Sequence, residues 1–578
     1  MPDSSARRLR IAVAAGAAIV VTATGTASAG TALAGTGTTG WTVPSAGDRT
    51  TGWTVPPNGP GTTTTSAGNR TTGWTVPPNG PGTTTTSAGS RTTGWTVPPN
   101  GPGTTGPSAG PETTGWTVPS APARGHDVPR PQVIGPITGG EHGRPFTSSP
   151  VPVQPAGYVQ QEFFLKGTAN GYLPVGKWHS NGQWKARPAG LAPYETRILV
   201  RRPANPAKFN GTVVVEWLNV SFQVDVDPDY LYESQQLLRD GYAWVGVSAQ
   251  QLGVQGPLGL KNWDPKRYHA LNHPGDTFSY SIFSQAAESL LNPLGAHPLG
   301  SLRPRLLLAD GESQSAFRMV TYANAIQPLD HLFSGFLIHS RGASGAPISQ
   351  SPQPVPPMPA VARIRADLGV PTLTVETETD ILPTGLGYLP ATQPDTQQFR
   401  LWEVPGTAHV DQTELGLAST EVLRDVPSFP QLPCAQAPND GQERYVMDAA
   451  LVQLNHWARS GVPAADPPLI KIHAGKYVTD KYGNALGGLR TPAVQVPVAT
   501  LTGLGNTGSN PLCFLLGTTT PLTSAQLAKL YPNHAVYVLA VERAAAADVR
   551  AGFLLPTDEL QVDATAAAAE TGLPPPTG

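Results

Sequence analysis

The sequence predicts an α/β fold in which a mainly parallel sheet of eight strands is flanked by helices. From about residue 125 onward, strand-like and helix-like segments alternate. Several of the apolar segments are continuous, as strands buried on both faces require. The predicted strands are 162–168, 196–202, 211–218, 243–249, 305–311, 335–340, 371–377 and 399–405.

The helix-like segments separate these strands, and their apolar residues recur at helical spacing. The predicted helices are 229–239, 277–291, 314–325 and 442–459. We therefore expect one domain over 125–562, followed by a disordered tail over 563–578. Two inserts after the last strand, 410–442 and 471–500, are expected to form a cap over the site.

The first 29 residues have the features of a signal peptide. Arg7, Arg8 and Arg10 precede a short apolar run that ends in Ala27-Ser28-Ala29, the pattern of a cleaved export signal. The apolar run is shorter than the roughly 20 residues that a membrane helix needs. We therefore expect a protein that is secreted or associated with the cell surface, without a transmembrane anchor.

Residues 30–124 form a Thr/Gly/Pro-rich repeat linker. The motif TTGWTVP recurs, and its last four tryptophans, at 53, 74, 95 and 116, are 21 residues apart. One Trp and one Val per unit cannot bury enough apolar surface to offset the ordering of the chain. We interpret the repeats as a disordered stalk. The alternative is adhesion, in which the exposed tryptophans stack on cell-wall polysaccharide.

The charge and the potential ligand residues of the chain indicate which partners and cofactors to expect. The 38 Lys and Arg side chains nearly balance 40 Asp and Glu, so no overall positive charge attracts nucleic acid. Cys434 and Cys513 are the two cysteines, and in an exported chain they are expected to form a disulfide. The sequence contains no convincing metal-ligand cluster or phosphate-binding loop, so we expect neither a metal nor an organic cofactor.

The strongest local signal for chemistry lies where the strand 305–311 meets a helix. The sequence Gly311-Glu312-Ser313-Gln314-Ser315 joins the two, and a strand, a sharp turn and a helix together expose a nucleophilic serine. The helix directs its free N–H groups towards a developing oxyanion, and we assign one of them to Gln314. Ser315 replaces the usual glycine and is small enough for that position.

A base and an acid follow Ser313 in the order that such sites use. His409 lies just beyond the last predicted strand. Of the three candidate carboxylates, Glu376 falls within the strand 371–377, and Glu378 and Asp380 follow it. We prefer Asp380 because it lies beyond the strand end, with Glu378 as the alternative acid and Glu376 third. The other candidate bases, His339 and His273, are interpreted as structural.

The second oxyanion donor is expected in the loop 218–222, after the third predicted strand. We assign it to the backbone N–H of Val220. The side chain of Asn219 is as well suited to holding this loop as to contacting a substrate.

Several segments together resemble a large bacterial family of α/β-hydrolase domain proteins. They are FNGTVVVEWLNVS, GYAWVGVSAQ, HPGDTFSYSIFSQA, LLADGESQSAFRMVTYANA, GFLIHSRG and GGLRTPAVQVPV. The resemblance covers about 158–555 and implies an α/β-hydrolase fold with a triad of Ser313, Asp380 or Glu378, and His409. It implies no defined substrate. Arg341 and Arg490 match family motifs, and we expect them to be ion-paired braces.

These observations predict a secreted serine hydrolase that cleaves a carboxylic ester through an acyl-enzyme. The substrate is expected to be a small ester or an acylated polymer. One alternative is a surface-displayed binding protein whose hydrolase scaffold is inactive and whose repeats contact the cell wall. Another is an esterase that acts on an insoluble polymer, with the stalk providing reach.

Overall fold

A central β-sheet organises the computed structural model, which describes residues 128–429 and 433–574. Its strands, in chain order, are β1 (Gln132–Ile134), β2 (Tyr158–Pro174), β3 (Ala186–Pro203), β4 (Thr212–Trp217), β5 (Ala243–Val247), β6 (Leu294–Gly295), β7 (Leu306–Glu312), β8 (Gly335–His339), β9 (Thr372–Thr377) and β10 (Phe399–Val404). All eight predicted strands are present, and the predicted α/β architecture is confirmed. The expected signal peptide and repeat linker lie outside the described residues.

Two short strands extend the sheet beyond the eight that the sequence predicts. Strands β1 and β6 have three and two residues, which is too few to produce a recognisable periodicity. The strand order is β10-β9-β8-β7-β4-β5-β3-β2-β1-β6. The first six strands in this order, from β10 to β5, pair in parallel. The next three pairs, β5 with β3, β3 with β2 and β2 with β1, are antiparallel.

The register of the parallel strands brings the functional loops to one edge. Glu312 at the end of β7 pairs with His339 at the end of β8, and His339 pairs with Val375 of β9. The carboxyl ends of these strands are therefore nearly level. The loops that follow β4, β7, β9 and β10 meet at this edge, where open α/β sheets bind ligands.

Helices cover both faces of the sheet. Those of the described residues are α1 (Pro228–Arg239), α2 (Gln251–Gln255), α3 (Leu260–Trp263), α4 (Pro265–Tyr268), α5 (Ser279–Leu291), α6 (Gln314–Thr321), α7 (Gln327–Asp330), α8 (Glu378–Ile381), α9 (Gln412–Asp425), α10 (Glu443–Ser460), α11 (Pro492–Gln495), α12 (Ser524–Leu530), α13 (His534–Ala551) and α14 (Pro556–Ala568). The four predicted helices correspond to α1, α5, α6 and α10.

The core has two layers because successive side chains of a strand point to opposite faces. In β4, Val213 and Val215 belong to the cluster that includes α5 and α6, whereas Val214 belongs to the cluster that includes α1 and α10. All three valines are fully buried. Burial of each such side chain contributes about 1.5–3 kcal/mol, so the continuous apolar strands anchor both layers.

The chain beyond β10 forms an insert beside the functional edge. Val422 of helix α9 and Val426 just after the helix pack in a cluster with Val224 and Val226 of the loop after β4. Two antiparallel hairpins follow, β11 (Ile472–His473) with β12 (Lys476–Tyr477), and β13 (Ala499–Thr502) with β14 (Thr518–Pro521). The inserts expected to form a cap thus lie against the loops that surround the site.

The predicted start of the disordered tail, at residue 563, is wrong. Helix α14 continues through Ala568, and its Val562 and Ala566 are 1% and 3% exposed. Both pack in one cluster with Val541 and Ala545 of α13. The alanine-rich sequence hid this contact because small side chains give only a weak amphipathic pattern.

Candidate active site

Ser313 lies at a sharp turn between β7 and α6. Its backbone has φ 55° and ψ −119°, a conformation that costs a non-glycine residue about 1–3 kcal/mol. The Ser313 N–H donates to the carbonyl of His339 at 2.9 Å, which fixes the turn to the neighbouring strand. The side chain is only partly buried, so the turn presents the hydroxyl at the edge of the sheet.

Small residues on either side of Ser313 make this turn possible. A Cβ atom on Gly311 would lie 3.1 Å from both Ser315 Cβ and Met319 Cγ. Ser315, at the position where a glycine is usual, is fully buried. The close approach of strand and helix therefore leaves little room for a side chain at 311 and accommodates a serine at 315.

His409, in the loop after β10, connects Ser313 to a carboxylate. Its Nε2 lies 2.7 Å from Ser313 Oγ, and its Nδ1 lies 2.7 Å from Asp380 Oδ1. The imidazole is 2% exposed and Asp380 is fully buried. In this geometry Nδ1–H donates to the carboxylate and Nε2 faces the serine hydroxyl, so the histidine is oriented to take the hydroxyl proton.

The second oxygen of Asp380 is held by three donors. The N–H and the hydroxyl of Thr377 donate to Oδ2 at 2.7 and 2.6 Å, and the Ser340 hydroxyl donates at 2.9 Å. Burial alone would raise the pKa of Asp380, but His409 and the Thr377 bonds lower it below its usual range. The carboxylate therefore stays ionised beside the imidazole.

The other two carboxylates considered from sequence do not reach His409. Glu378 accepts hydrogen bonds from the N–H groups of Gly406 and Gly503 and from the hydroxyl of Thr502, at 2.7, 3.0 and 2.6 Å. The Glu378 carboxylate therefore joins the loop that carries His409 to the end of β13. Glu376 is fully buried within β9, and burial, followed by the charge of Asp380, raises its pKa well above the usual range.

The two N–H groups assigned to an oxyanion hole are available. Among the described residues, neither Val220 N–H nor Gln314 N–H has a hydrogen-bond acceptor. Gln314 begins α6, so its N–H is one of the unpaired donors of a helix N-terminus. The loop that carries Val220 is fixed at its base because Asp225 pairs with Arg197 at 2.9 Å in the buried interior.

Sequence reasoning missed a contact made by Glu312. Glu312 Oε1 lies 3.1 Å from His409 Nε2, and Asn219 Nδ2 donates to Glu312 Oε2 at 3.1 Å. Asn219 Oδ1 also accepts from Ser221 N–H at 2.7 Å, as expected of a side chain that holds the loop. The sequence does not show which way the side chain before Ser313 points. The contact between Glu312 and His409 therefore becomes apparent only from the structure.

The alternative histidines are buried elsewhere. His339 Nδ1 and Nε2 each lie 2.9 Å from a carboxylate, those of Asp229 and Glu443. Burial lowers the pKa of His339, but these two hydrogen bonds outweigh it and raise the pKa well above its usual range, which favours the charged form of the ring. His273 Nε2 lies 2.9 Å from the Ala249 carbonyl. Neither ring contacts Ser313.

The two arginines of the family motifs differ in their partners. Arg490 pairs with Asp480 at 3.3 Å, as expected. Arg341 does not behave as an ion-paired brace. It is 1% exposed and donates to the carbonyl groups of Gly342 and Ala362. Its guanidinium is therefore occupied by the backbone rather than directed at a substrate.

The predicted disulfide between Cys434 and Cys513 is confirmed, with the Cα atoms 5.5 Å apart. It joins two segments that contact the histidine loop. The Leu515 carbonyl accepts the N–H of Val410 at 3.1 Å, and the Leu516 carbonyl accepts the N–H of Asn439 at 2.8 Å. The disulfide therefore stabilises the segments that hold the loop of His409.

A cavity of about 870 Å³ lies away from this site. It is lined by Lys208, Asn210, Gly241 and Arg459, among others, and so lies at the opposite edge of the sheet, where β4 and β5 begin. Within the two described ranges, no group of three or more His, Cys, Asp and Glu side chains is arranged to hold a metal ion.

None of the helices in residues 128–429 and 433–574 is both long and apolar enough to cross a bilayer.

Comparison with known proteins identifies the family. The profile of the α/β-hydrolase domain family matches residues 133–564, so the chain belongs to that family, and the resemblance seen in the sequence is confirmed. A search of curated proteins finds no match.

Several solved structures are similar to this chain. They include an α/β serine hydrolase without a lid from Xanthomonas campestris, with 12% identity over 41% of this chain and 92% of that one and a TM-score of 0.24. Est1E from Butyrivibrio proteoclasticus shares 11% identity over 41% of this chain and 96% of that one, with a TM-score of 0.24. A glucuronoyl esterase from Solibacter usitatus shares 10% identity over 48% and 83%, with a TM-score of 0.23.

Proposed function

We propose that this protein is a serine hydrolase that cleaves a carboxylic ester, with Ser313 as nucleophile, His409 as general base and Asp380 as the acid that orients it. One observation carries the proposal. Ser313 Oγ, His409 and Asp380 form a continuous chain of two 2.7 Å contacts, and the serine sits at a strained turn with φ 55°. A buried structural serine needs neither the strain nor the partners.

The first half of the reaction forms an acyl-enzyme. His409 Nε2 takes the hydroxyl proton as Ser313 Oγ attacks the ester carbonyl, and Asp380 stabilises the imidazolium. The carbonyl oxygen becomes an oxyanion, which accepts hydrogen bonds from the N–H groups of Gln314 and Val220. The imidazolium then protonates the leaving alcohol as its C–O bond breaks.

The second half releases the acid by the same steps. Water replaces the alcohol, His409 takes its proton, and the hydroxide attacks the acyl carbon of the ester on Ser313. Collapse of the second tetrahedral intermediate returns the proton to Ser313 Oγ. An uncharged ester fits the site better than a carboxylate-bearing one, because the guanidinium of Arg341 is already bound to two backbone carbonyls.

We also propose that the enzyme is exported and acts at or beyond the cell surface. The signal-peptide pattern of residues 1–29 and the disulfide of Cys434 with Cys513 support this, because disulfides persist in oxidising compartments. The repeat stalk would let the domain reach an acylated polymer. Retention of the full chain on insoluble wall polysaccharide, lost when the repeat tryptophans become alanine, is the expected result. Equal retention of both proteins would contradict a role for the tryptophans.

Hydrolysis of p-nitrophenyl acetate by matched serine variants tests the enzymatic proposal. Ser313→Ala should lose about 10⁶-fold in kcat, the scale seen when a nucleophilic serine is removed. Ser315→Ala, two residues further along the chain in α6, should retain activity because the Ser315 hydroxyl has no hydrogen-bond partner among the described residues. Wild-type activity in folded Ser313→Ala protein would refute the proposal.

A further inference from the structure

The nitrogen of His409 that faces the nucleophile also faces a second carboxyl group. Nε2 lies 2.7 Å from Ser313 Oγ and 3.1 Å from Glu312 Oε1. Glu312 is 3% exposed, so water does not screen this contact. The atom that must receive the serine proton therefore has two oxygen neighbours, of which the reaction uses only one.

Asn219 occupies one oxygen of the Glu312 carboxyl group and leaves the other facing His409. Its Nδ2 donates to Glu312 Oε2 at 3.1 Å and to the Glu312 carbonyl at 3.2 Å. An amide nitrogen only donates, so Oε2 acts as an acceptor. Glu312 Oε1 forms no hydrogen bond among the described residues, and it lies 3.1 Å from His409 Nε2. Oε1 is therefore the oxygen at which a proton lies closest to the imidazole.

The charged groups around Glu312 are mostly negative. Glu414 on α9, Asp229 on α1 and Asp380 on α8 face it, and the cation His339 at the end of β8 opposes them. Burial first, and then the charge of Glu414, raises the pKa of Glu312 well above the usual range. An ionised Glu312 is thus unfavourable unless a proton lies nearby, and the ring of His409, whose Nε2 lies 3.1 Å from Oε1, is a neighbour that can hold one.

Resting on the function proposed above, we infer that Glu312 is a positioning residue that shares one proton with His409 Nε2 in the resting enzyme. Loss of that proton leaves a Glu312 carboxylate and a neutral imidazole, the form in which Nε2 can accept the Ser313 proton. As the bond from Oγ to the carbonyl carbon forms, that proton moves to Nε2. The imidazolium N–H then lies between Oγ and the Glu312 carboxylate until the proton passes to the leaving alcohol.

Two substitutions at this contact should move the pH profile in opposite directions. Glu312→Gln removes the carboxylate, so the midpoint of the acid limb moves to lower pH by about one unit. Its plateau rate falls by about 10- to 100-fold, because the imidazolium loses a charged acceptor. Asn219→Ser instead removes the donor to Oε2, which disfavours the carboxylate, so the shared proton is held more tightly and the midpoint moves to higher pH.

Glu376→Gln is the matched control. Glu376 is likewise a fully buried glutamate of the parallel sheet, and its carboxylate oxygens have no hydrogen-bond partner among the described residues. It makes no contact with His409. This variant removes a buried carboxyl group from the same region and should leave the midpoint of the acid limb where it is in wild type.

The experiment measures the rate at which a fluorophosphonate probe labels Ser313, as a function of pH, in wild type and these three variants. Opposite shifts in Glu312→Gln and Asn219→Ser, with none in Glu376→Gln, support the inference. Unshifted profiles, or shifts of the same sign in both variants, overturn it while leaving the serine hydrolase intact. Absence of labelling in wild type would instead remove the proposed function. If Glu312→Gln does not fold, the Asn219→Ser midpoint decides alone.

Discussion

Replacement of Asp380 by asparagine should disable His409 without disturbing the fold. In wild type the Thr377 N–H donates to Asp380 Oδ2 at 2.7 Å, and this donor needs an acceptor in the variant as well. The amide oxygen of the asparagine will therefore face Thr377, and its NH₂ group will face His409. Nδ1 must then accept a hydrogen bond, which puts the ring proton on Nε2, where it blocks proton transfer from Ser313. This tautomer error costs about 10⁴-fold in kcat, which corresponds to about 5.4 kcal/mol at 1.36 kcal/mol per factor of ten.

Glu378→Gln provides the matched comparison for this experiment. Two backbone N–H groups and one hydroxyl donate to the Glu378 carboxylate, so a glutamine NH₂ group must face a donor, at about 1–3 kcal/mol of stability. Its kcat per folded molecule should stay near wild type, because Glu378 does not touch His409. Both variants are measured by p-nitrophenyl acetate hydrolysis and thermal unfolding. A near-normal kcat for Asp380→Asn, with a large loss for Glu378→Gln, would refute the assignment of the acid.

Three further results are expected. Replacing both Cys434 and Cys513 by serine should lower the unfolding free energy by about 4.5 kcal/mol in urea titration, the loop entropy for a sequence separation of 79; an unchanged midpoint would contradict it. Burial raises the pKa of Glu403 to about 7. The folded state thus holds a proton that the unfolded chain releases near pH 4.3, so this contribution to stability is complete below about pH 4.3 and is lost as pH rises through about 7. Calorimetry should give a lower Tm at pH 8 than at pH 5, with a smaller difference in Glu403→Gln. The unfolding free energy of Ser313→Gly should be about 1 kcal/mol higher than that of Ser313→Ala, because glycine adopts a positive φ without strain. Equal unfolding free energies would argue against backbone strain at this turn.

Much of the fold follows from local patterns in the sequence. The continuous apolar run of β4 is recognisable because both faces of the strand are buried, so every residue from Thr212 to Trp217 needs a suitable side chain. Strands β1 and β6 are not recognisable, because pairing with β2 and with each other defines them rather than their own composition. Helix α14 was assigned to the disordered tail because its contacts with α13 depend on small side chains.

The site divides in the same way. The order of Ser313, acid and His409 is a property of the chain, and position relative to a strand end was enough to prefer Asp380. The Thr377 to Asp380 spacing, which forms a capping box at α8, is a further signal in the sequence that our choice of Asp380 did not use. The contact between Glu312 and His409 could not be predicted in this way. It depends on strand register, helix packing and the rotamer of a buried side chain, and a single sequence specifies none of these.

The central claim is that Ser313 is an activated nucleophile, and the most direct measurement is the site of covalent labelling by a fluorophosphonate probe. Purified protein is incubated with the probe, digested and analysed by mass spectrometry, with Ser313→Ala and His409→Ala as controls. The account predicts one adduct, on Ser313, that is lost in both variants. Folded wild-type protein that carries no adduct, or carries it on another serine, would contradict the account.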